Sequence, residues 1–197
     1  MTATAFPLPS KTVENGQTPK KITFDEFQKR FLEREDKYKY EWVKGSVEKT
    51  LRTMNQLQQF ICDNLIDFFT ELRLAGAVNG RLSPEVDTFF LSDVHRRPDL
   101  AYFSDAQRKR MSDGENQVPQ FVVEIISNRD QMNRVVAKMQ DYRAAEVPVI
   151  WHIFPNYNEI HVYNGKNMTV CIGEDICSAA PVLTPFQLSA NAILKKL

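Results

Sequence analysis

Cysteine and histidine are scarce in this chain, with three of each among 197 residues. Cys62, Cys171 and Cys177 are an odd number without CxxC spacing, so they make no disulfide framework and, with so few histidines, no zinc site. A reducing, cytoplasmic setting fits that usage. Excess charge of either sign is also missing, since Lys+Arg and Asp+Glu stand at 25 each. No global positive field attracts a polyanion, and nucleic-acid binding would need a local basic face. The opening MTATAFPLPSKTVENGQTPKK has no apolar run long enough for a signal sequence or a membrane span, so residues 1–20 read as a flexible leader. What is present, 43% hydrophobic and 25% charged residues, is the composition of a soluble globular protein with one core. One domain over residues 21–197 is expected, without a membrane partner.

Periodicity divides that domain. Phe24, Phe27 and Phe31 recur at helical spacing behind Thr23 or Asp25 as a cap. YKYEWVKGSVEK alternates aromatic and charged residues around Gly45, which suggests a short strand or turn. Leu51, Met54, Leu57, Phe60, Ile61, Leu65, Phe68, Phe69 and Leu72 mark a long amphipathic helix ending near Gly76. Three apolar runs, VDTFFL, DLAYF and FVVEIIS, then read as successive strands. Helical period returns between Arg129 and Glu146 and is followed by the buried-strand pattern VPVIWHIF, which predicts a parallel, right-handed crossover. A hairpin across Asn164-Gly165 and a closing helix from Pro185 to Leu194 complete an α/β arrangement, α+β-like, with a mixed sheet. The hairpin strands, residues 158–172, are either a homodimer surface or covered by the closing helix.

Three residues stand out chemically. Glu124 is one carboxylate inside the apolar strand FVVEIIS. Unpaired burial would cost several kcal/mol, so it pairs with a cation, binds a metal or is protonated, unless it lies at a frayed strand end. Asp99 follows Pro98 at the start of DLAYF, as a turn residue would, and neighbouring strands can bring it and Glu124 to one cation. Oxygen ligands of this kind suit Mg2+ or Mn2+. Lys138 lies at the edge of the apolar stripe beside Val135 and Tyr142. Its stem can follow the core and deliver an ammonium to the sheet, or it is a solvated flank residue.

RRPDLAYF, PQFVVEIIS and KMQDYRAAEVPVIWHIFP, in that order and with KYEWVKG as an opening motif, resemble the Uma2 family of restriction endonucleases within the PD-(D/E)XK nuclease superfamily. The likeness runs from about Thr23 to the C-terminus. It implies a restriction-endonuclease-like core of helix, three strands, helix and strand with an added hairpin. It also implies a Mg2+- or Mn2+-dependent endonuclease acting on nucleic acid, with DNA the expected substrate. Asp99 matches the aspartate of the PD element, Glu124 the acid of the (D/E)xK element, and Lys138 the lysine, which in this family sits on the following helix. Two residues after Glu124, where the wider superfamily has lysine, this chain has Ile126. Ser46 follows Gly45 where an acidic residue often stands.

On that resemblance Asp99, Glu124 and the Ile125 carbonyl hold the ion, with Glu41, Glu48 and Glu85 as weaker candidates. Lys138 orients or deprotonates the attacking water or stabilises the phosphate oxygens. Tyr142 and His152 read as packed residues first and site residues second. Arg96, Arg97, Arg108, Lys109, Arg110, Arg129 and Arg134 either line a substrate groove or form ordinary solvated surface. Two rivals remain: a catalytically silent nuclease fold serving binding or dimer assembly, and a hydrolase in which two carboxyl groups act as acid and base.

Overall fold

The computed structural model describes residues 21–51, 55–126 and 132–196; the expected leader, Met54 and Arg129 lie outside them. Helix α1 (Phe24–Phe27) is capped by Thr23 and Glu26, which exchange side-chain and backbone bonds, and a wider turn continues it over Gln28–Leu32. Strands β1 (Tyr38–Val43) and β2 (Ser46–Leu51) form a full hairpin rather than a single strand or turn. Lys44 and Gly45 both take positive φ, 51° and 84°, the backbone that a two-residue hairpin turn requires.

Helix α2 (Gln56–Leu74) starts later than periodicity suggests, because Leu51 ends β2 and Asn55 forms a capping box with Gln58. It buries Ile61, Cys62, Leu65 and Phe69. Its end is closed by Gly76, whose N–H bonds the Arg73 carbonyl while Ala77 reaches back to Leu72. Next come β3 (Arg81–Pro84), β4 (Thr88–Leu91), β5 (Val94–Arg96) and β6 (Leu100–Phe103). VDTFFL is therefore a strand, but it pairs with β5 in a separate four-stranded sheet of order β2-β1-β5-β4. Helix α3 (Asp105–Ser112) has no apolar stripe to announce it; Ser104 and Gln107 start it by capping.

β7 (Phe121–Ile125), α4 (Met132–Ala144) and β8 (Val149–Phe154) follow the expected strand-helix-strand order, and β7 pairs with β8 in parallel. β9 (Glu159–Asn164) and β10 (Asn167–Ile172) form the expected hairpin and complete a six-stranded mixed sheet, order β10-β9-β8-β7-β6-β3. The expected closing helix is mostly wrong. Residues Leu183–Ser189 form β12 against β11 (Ile176–Ala179), and only Ala190–Leu194 are helical, as α5. Pro185 falls where the β11–β12 register shifts, a place that needs no backbone donor. Among the described residues no helix is long and apolar enough to cross a membrane.

Alternation along the central strands separates two functions. Phe121, Val123 and Ile125 of β7 and Trp151 and Ile153 of β8 pack in one core with α2, β12 and α5. Val122 and Ile150 face the other way, toward Met139 and Tyr142 of α4 and Phe90 and Val94 of the small sheet. Glu124 shares the parity of Val122. The parity of an otherwise apolar strand therefore aims one carboxylate at the seam between α4 and the small sheet.

Candidate active site

Five side chains from four elements meet at that seam. Strand β1 contributes Lys39 and Glu41, two residues apart and so on one face. Asp99 precedes β6, Glu124 lies on β7 and Lys138 on α4. Asp99 accepts the Ile125 backbone N–H at Oδ2, 2.7 Å, and the Lys39 ammonium at Oδ1, 3.1 Å. Lys138 Nζ donates to both Glu124 oxygens at 3.1 and 3.2 Å and ion-pairs with Glu41 Oε1 at 3.1 Å. Tyr142, one helical turn beyond Lys138, donates its hydroxyl to Glu124. Glu41 also accepts the Arg97 N–H at 2.8 Å and Arg96 Nη1 at 3.1 Å. The Ile125 carbonyl accepts from Gln58 at the start of α2, 3.2 Å.

Behind this group Arg96, with 1% of its side chain exposed, binds Glu41, Glu48 at 2.5 Å and Asp141 at 2.6 Å. Its fork holds β1, β2 and α4 together. Ion pairs join Glu41, Glu48, Glu124 and Asp141 to Arg96 and Lys138, and the separate Lys39–Asp99 pair lies beside them, giving five carboxylates and three cations in the cluster. Five charges against three leave two negative charges uncompensated among them.

The proton affinities follow from this imbalance. Burial raises the Glu124 pKa; Lys138 and Lys39 oppose that, while Asp99 and Glu41 add to it. Burial acts the same way on Glu41, but Lys138, Arg96, Lys39 and the Arg97 N–H outweigh it and bring the pKa down to about 2. Burial disfavours the Lys138 ammonium, yet Glu124, Glu41 and Asp99 outweigh it and raise the pKa. Lys138 therefore holds its proton firmly in this charge setting. A deprotonating lysine would need the opposite shift.

Among the described residues no three acidic, histidine or cysteine side chains lie together at metal-ligand spacing. A hard cation such as Mg2+ needs less from the protein, since it keeps several waters and takes one or two carboxylates. Asp99, Glu124 and the Ile125 carbonyl offer oxygen donors alone, so the chemistry of the donor set suits such an ion. A family model described as "Uma2: Putative restriction endonuclease" matches residues 24–190. The chain belongs to the Uma2 family. No curated protein matches it. Among solved structures, this Uma2 chain is similar to one from Anabaena variabilis described as a "putative nuclease belonging to DUF820". The TM-score is 0.72 at 20% identity, covering 88% of this chain and 97% of that one. At that identity the likeness is one of fold, and it agrees with the expected mixed α/β architecture.

In this Uma2 protein Lys138 and Tyr142 both bond Glu124, Glu41 joins them through Lys138, and Asp99 lies beside them through the Ile125 N–H. Glu85 touches the group through its backbone, its N–H bonding the Asp99 carbonyl at 3.2 Å. The arginines divide. Arg96 is buried in the ion network, which removes it from any substrate groove. Arg97 is spent on Asp87, to which it donates from Nε at 2.8 Å. Arg134 lies exposed and bonds the Lys49 carbonyl at 3.1 Å, and Arg108, Lys109 and Arg110 are exposed on α3. Lys39 and Gln58 went unnoticed in the sequence. The signal for Lys39 was its spacing from Glu41, two charges of equal parity alternating with the aromatics Tyr38, Tyr40 and Trp42.

His152 lies beside Glu124 in the β7–β8 register and packs edge-on to Tyr163 at 5.3 Å. It is buried, and its Nε2 has no partner among the described residues. Burial, then the charges of His161, Lys138 and Arg143, lower its pKa from 6.5 to about 4. The unfolded chain takes up a proton near 6.5 that the folded chain refuses until about 4. Stability should therefore fall as the pH drops through that window, by up to about 3 kcal/mol. His152→Gln should flatten the dependence in urea unfolding series. An unchanged slope would assign it to other groups.

Proposed function

We propose that this Uma2 protein is a Mg2+- or Mn2+-dependent endonuclease that hydrolyses phosphodiester bonds, with DNA as its substrate. The observation that carries the proposal is the seam itself: the carboxylate of Asp99, half-buried just before β6, and that of Glu124, buried on the adjacent β7, with Glu41 and two lysines beside them. Asp99, Glu124 and the Ile125 carbonyl would hold the ion. When bound, the ion activates water and neutralises charge growing on the phosphate.

The chain's own residues set the stage for that. The Ile125 N–H fixes one Asp99 oxygen, so the carboxylate presents the other in a single orientation. Lys138 and Tyr142 pin Glu124 from two sides and prevent it from turning back into the apolar core. Lys138, bonded to both Glu124 oxygens and paired with Glu41, would supply positive charge and positioning. Glu41 steadies Lys138 from behind and is itself kept ionised by Lys138 and then Arg96.

The test is cleavage of supercoiled plasmid and of single-stranded DNA by the purified protein in Mg2+ or Mn2+. Nicked or linear plasmid should form with either ion and vanish when a chelator removes it. Plasmid left intact while a labelled duplex is still retained would favour a silent, nucleic-acid-binding protein. Cleavage that persists in chelator would sink the metal requirement.

A further inference from the structure

The two lysines of the seam are used differently. An ammonium has three N–H bonds to place. Lys138 has three carboxylate oxygens within 3.2 Å, two from Glu124 and one from Glu41. Lys39 is at least as enclosed, with 9% of its side chain exposed against 15% for Lys138. Yet its acceptor among the described residues is Asp99 Oδ1 alone, at 3.1 Å. Two N–H bonds of an enclosed cation thus lack a protein acceptor there, a state that water or a ligand oxygen must relieve.

The surroundings say what kind of ligand that is. The charges acting on Lys39 are those of Asp99, Lys138, Glu124 and Glu41, so its ammonium belongs to the same pocket as the proposed ion ligands. A compact ammonium acts as a point charge for an anionic oxygen, and a phosphodiester oxygen supplies one. If Asp99 Oδ1 turns to a divalent ion, Lys39 loses its one described acceptor and all its donors become available.

We propose that Lys39 is the substrate-contacting lysine of this site, donating to a non-bridging oxygen of the scissile phosphate, while Lys138 positions Glu124 and Glu41. The proposal rests on the nuclease reading above and assigns a residue that the family's motif elements, at Asp99, Glu124 and Lys138, do not include. It also makes a coupled prediction. Lys39 and a divalent ion compete for one Asp99 oxygen, so removing the ammonium should weaken substrate handling without weakening ion binding.

The experiment compares wild type with Lys39→Met, which keeps the apolar stem, and Lys39→Gln, which keeps a donor for Asp99 without the charge. Three readouts are taken: plasmid cleavage in Mn2+, fluorescence anisotropy of a labelled DNA duplex in Ca2+, and calorimetric binding of Mn2+ alone. Both variants should lose roughly 100-fold or more in cleavage rate, the scale seen on removing one preorganised donor to a developing charge. They should bind the duplex several-fold more weakly and Mn2+ as tightly as wild type or more so. Cleavage within a few-fold of wild type overturns the proposal and leaves the nuclease reading standing. Loss of Mn2+ binding together with cleavage also overturns it, making Lys39 a prop for Asp99. If wild type cleaves nothing in either ion, the nuclease reading fails and the assignment of Lys39 to a scissile phosphate falls with it, an outcome distinct from cleavage by wild type that the Lys39 variants leave unchanged. Should Lys39→Met not fold, the same outcomes on Lys39→Gln decide the matter.

Discussion

Asp99→Ala should reduce metal-dependent DNA cleavage roughly a thousandfold or more, equivalent to about 4 kcal/mol of transition-state stabilisation. Asp99 is the point where three demands converge. Its Oδ2 is committed to the Ile125 N–H at 2.7 Å, and its Oδ1 is shared between Lys39 and the proposed ion. Alanine removes both acceptors, leaving the Ile125 N–H without its carboxylate and the Lys39 ammonium without its described partner. Asparagine is no milder. It has one acceptor oxygen where two are needed, so its amide N–H2 must face either the Ile125 N–H or Lys39. Single-turnover cleavage of a labelled duplex, with the melting temperature recorded for each variant, separates chemistry from folding. Mn2+ affinity should fall along with the rate. A variant that keeps near-normal cleavage would move the ion site away from Asp99.

The legibility of this site in the sequence varied residue by residue. Glu124 was visible on physical grounds, because a single carboxylate in FVVEI has to be explained by something specific. Asp99 was not, since Pro-Asp is ordinary turn chemistry until its neighbour Glu124 is known. Lys138 and Tyr142 could be placed on one flank of α4 by helical spacing, but spacing is silent on which strand that flank faces. Lys39 was hidden because alternation in YKYEWV marks a strand without saying which face is enclosed. In β1 both parities are enclosed: Tyr40 and Trp42 pack with Phe27, and Lys39 and Glu41 turn into the seam.

The apolar runs of β7 and β8 and the period of α2 are one-dimensional signals that burial dictates directly. Helix α3 buries only Gln107, so it leaves no stripe, and only the Ser104 to Gln107 spacing announces it. The assignment of β4 to a second sheet depends on its pairing with β5, a three-residue strand too short to signal itself. In the segment expected to close the chain as a helix, Phe186, Ala190 and Ile193 are buried at helical intervals, yet residues through Ser189 are a strand.

Arg96→Met should destabilise the protein by about 3–5 kcal/mol at neutral pH, a large share of the roughly 5–15 kcal/mol available to a domain of this size. Arg96 is the sole cation described between Glu48, Asp141 and the back of Glu41, and its side chain is almost completely enclosed. Methionine fills much of the volume but leaves those carboxylates facing one another. Glu48, with 27% of its side chain exposed, can turn to water; Glu41, at 3%, cannot. Lysine should restore only part of the loss, because one ammonium lacks the planar fork that reaches Glu41, Glu48 and Asp141 together.

The acid limb of the stability curve discriminates this account from a simple packing defect. Glu41 has its pKa lowered from 4.5 to about 2 in the folded protein, with Arg96 among the causes. A lowered carboxylate contributes stability that is fully present above 4.5 and is lost as the pH falls through about 2. The gap between wild type and Arg96→Met should therefore be widest at neutral pH and shrink steadily as the pH drops from 4.5 toward 2, where protonated Glu41 no longer needs a partner. Urea midpoints measured across that range give the comparison, and a gap that stays constant with pH would mean that Arg96 contributes volume and not charge.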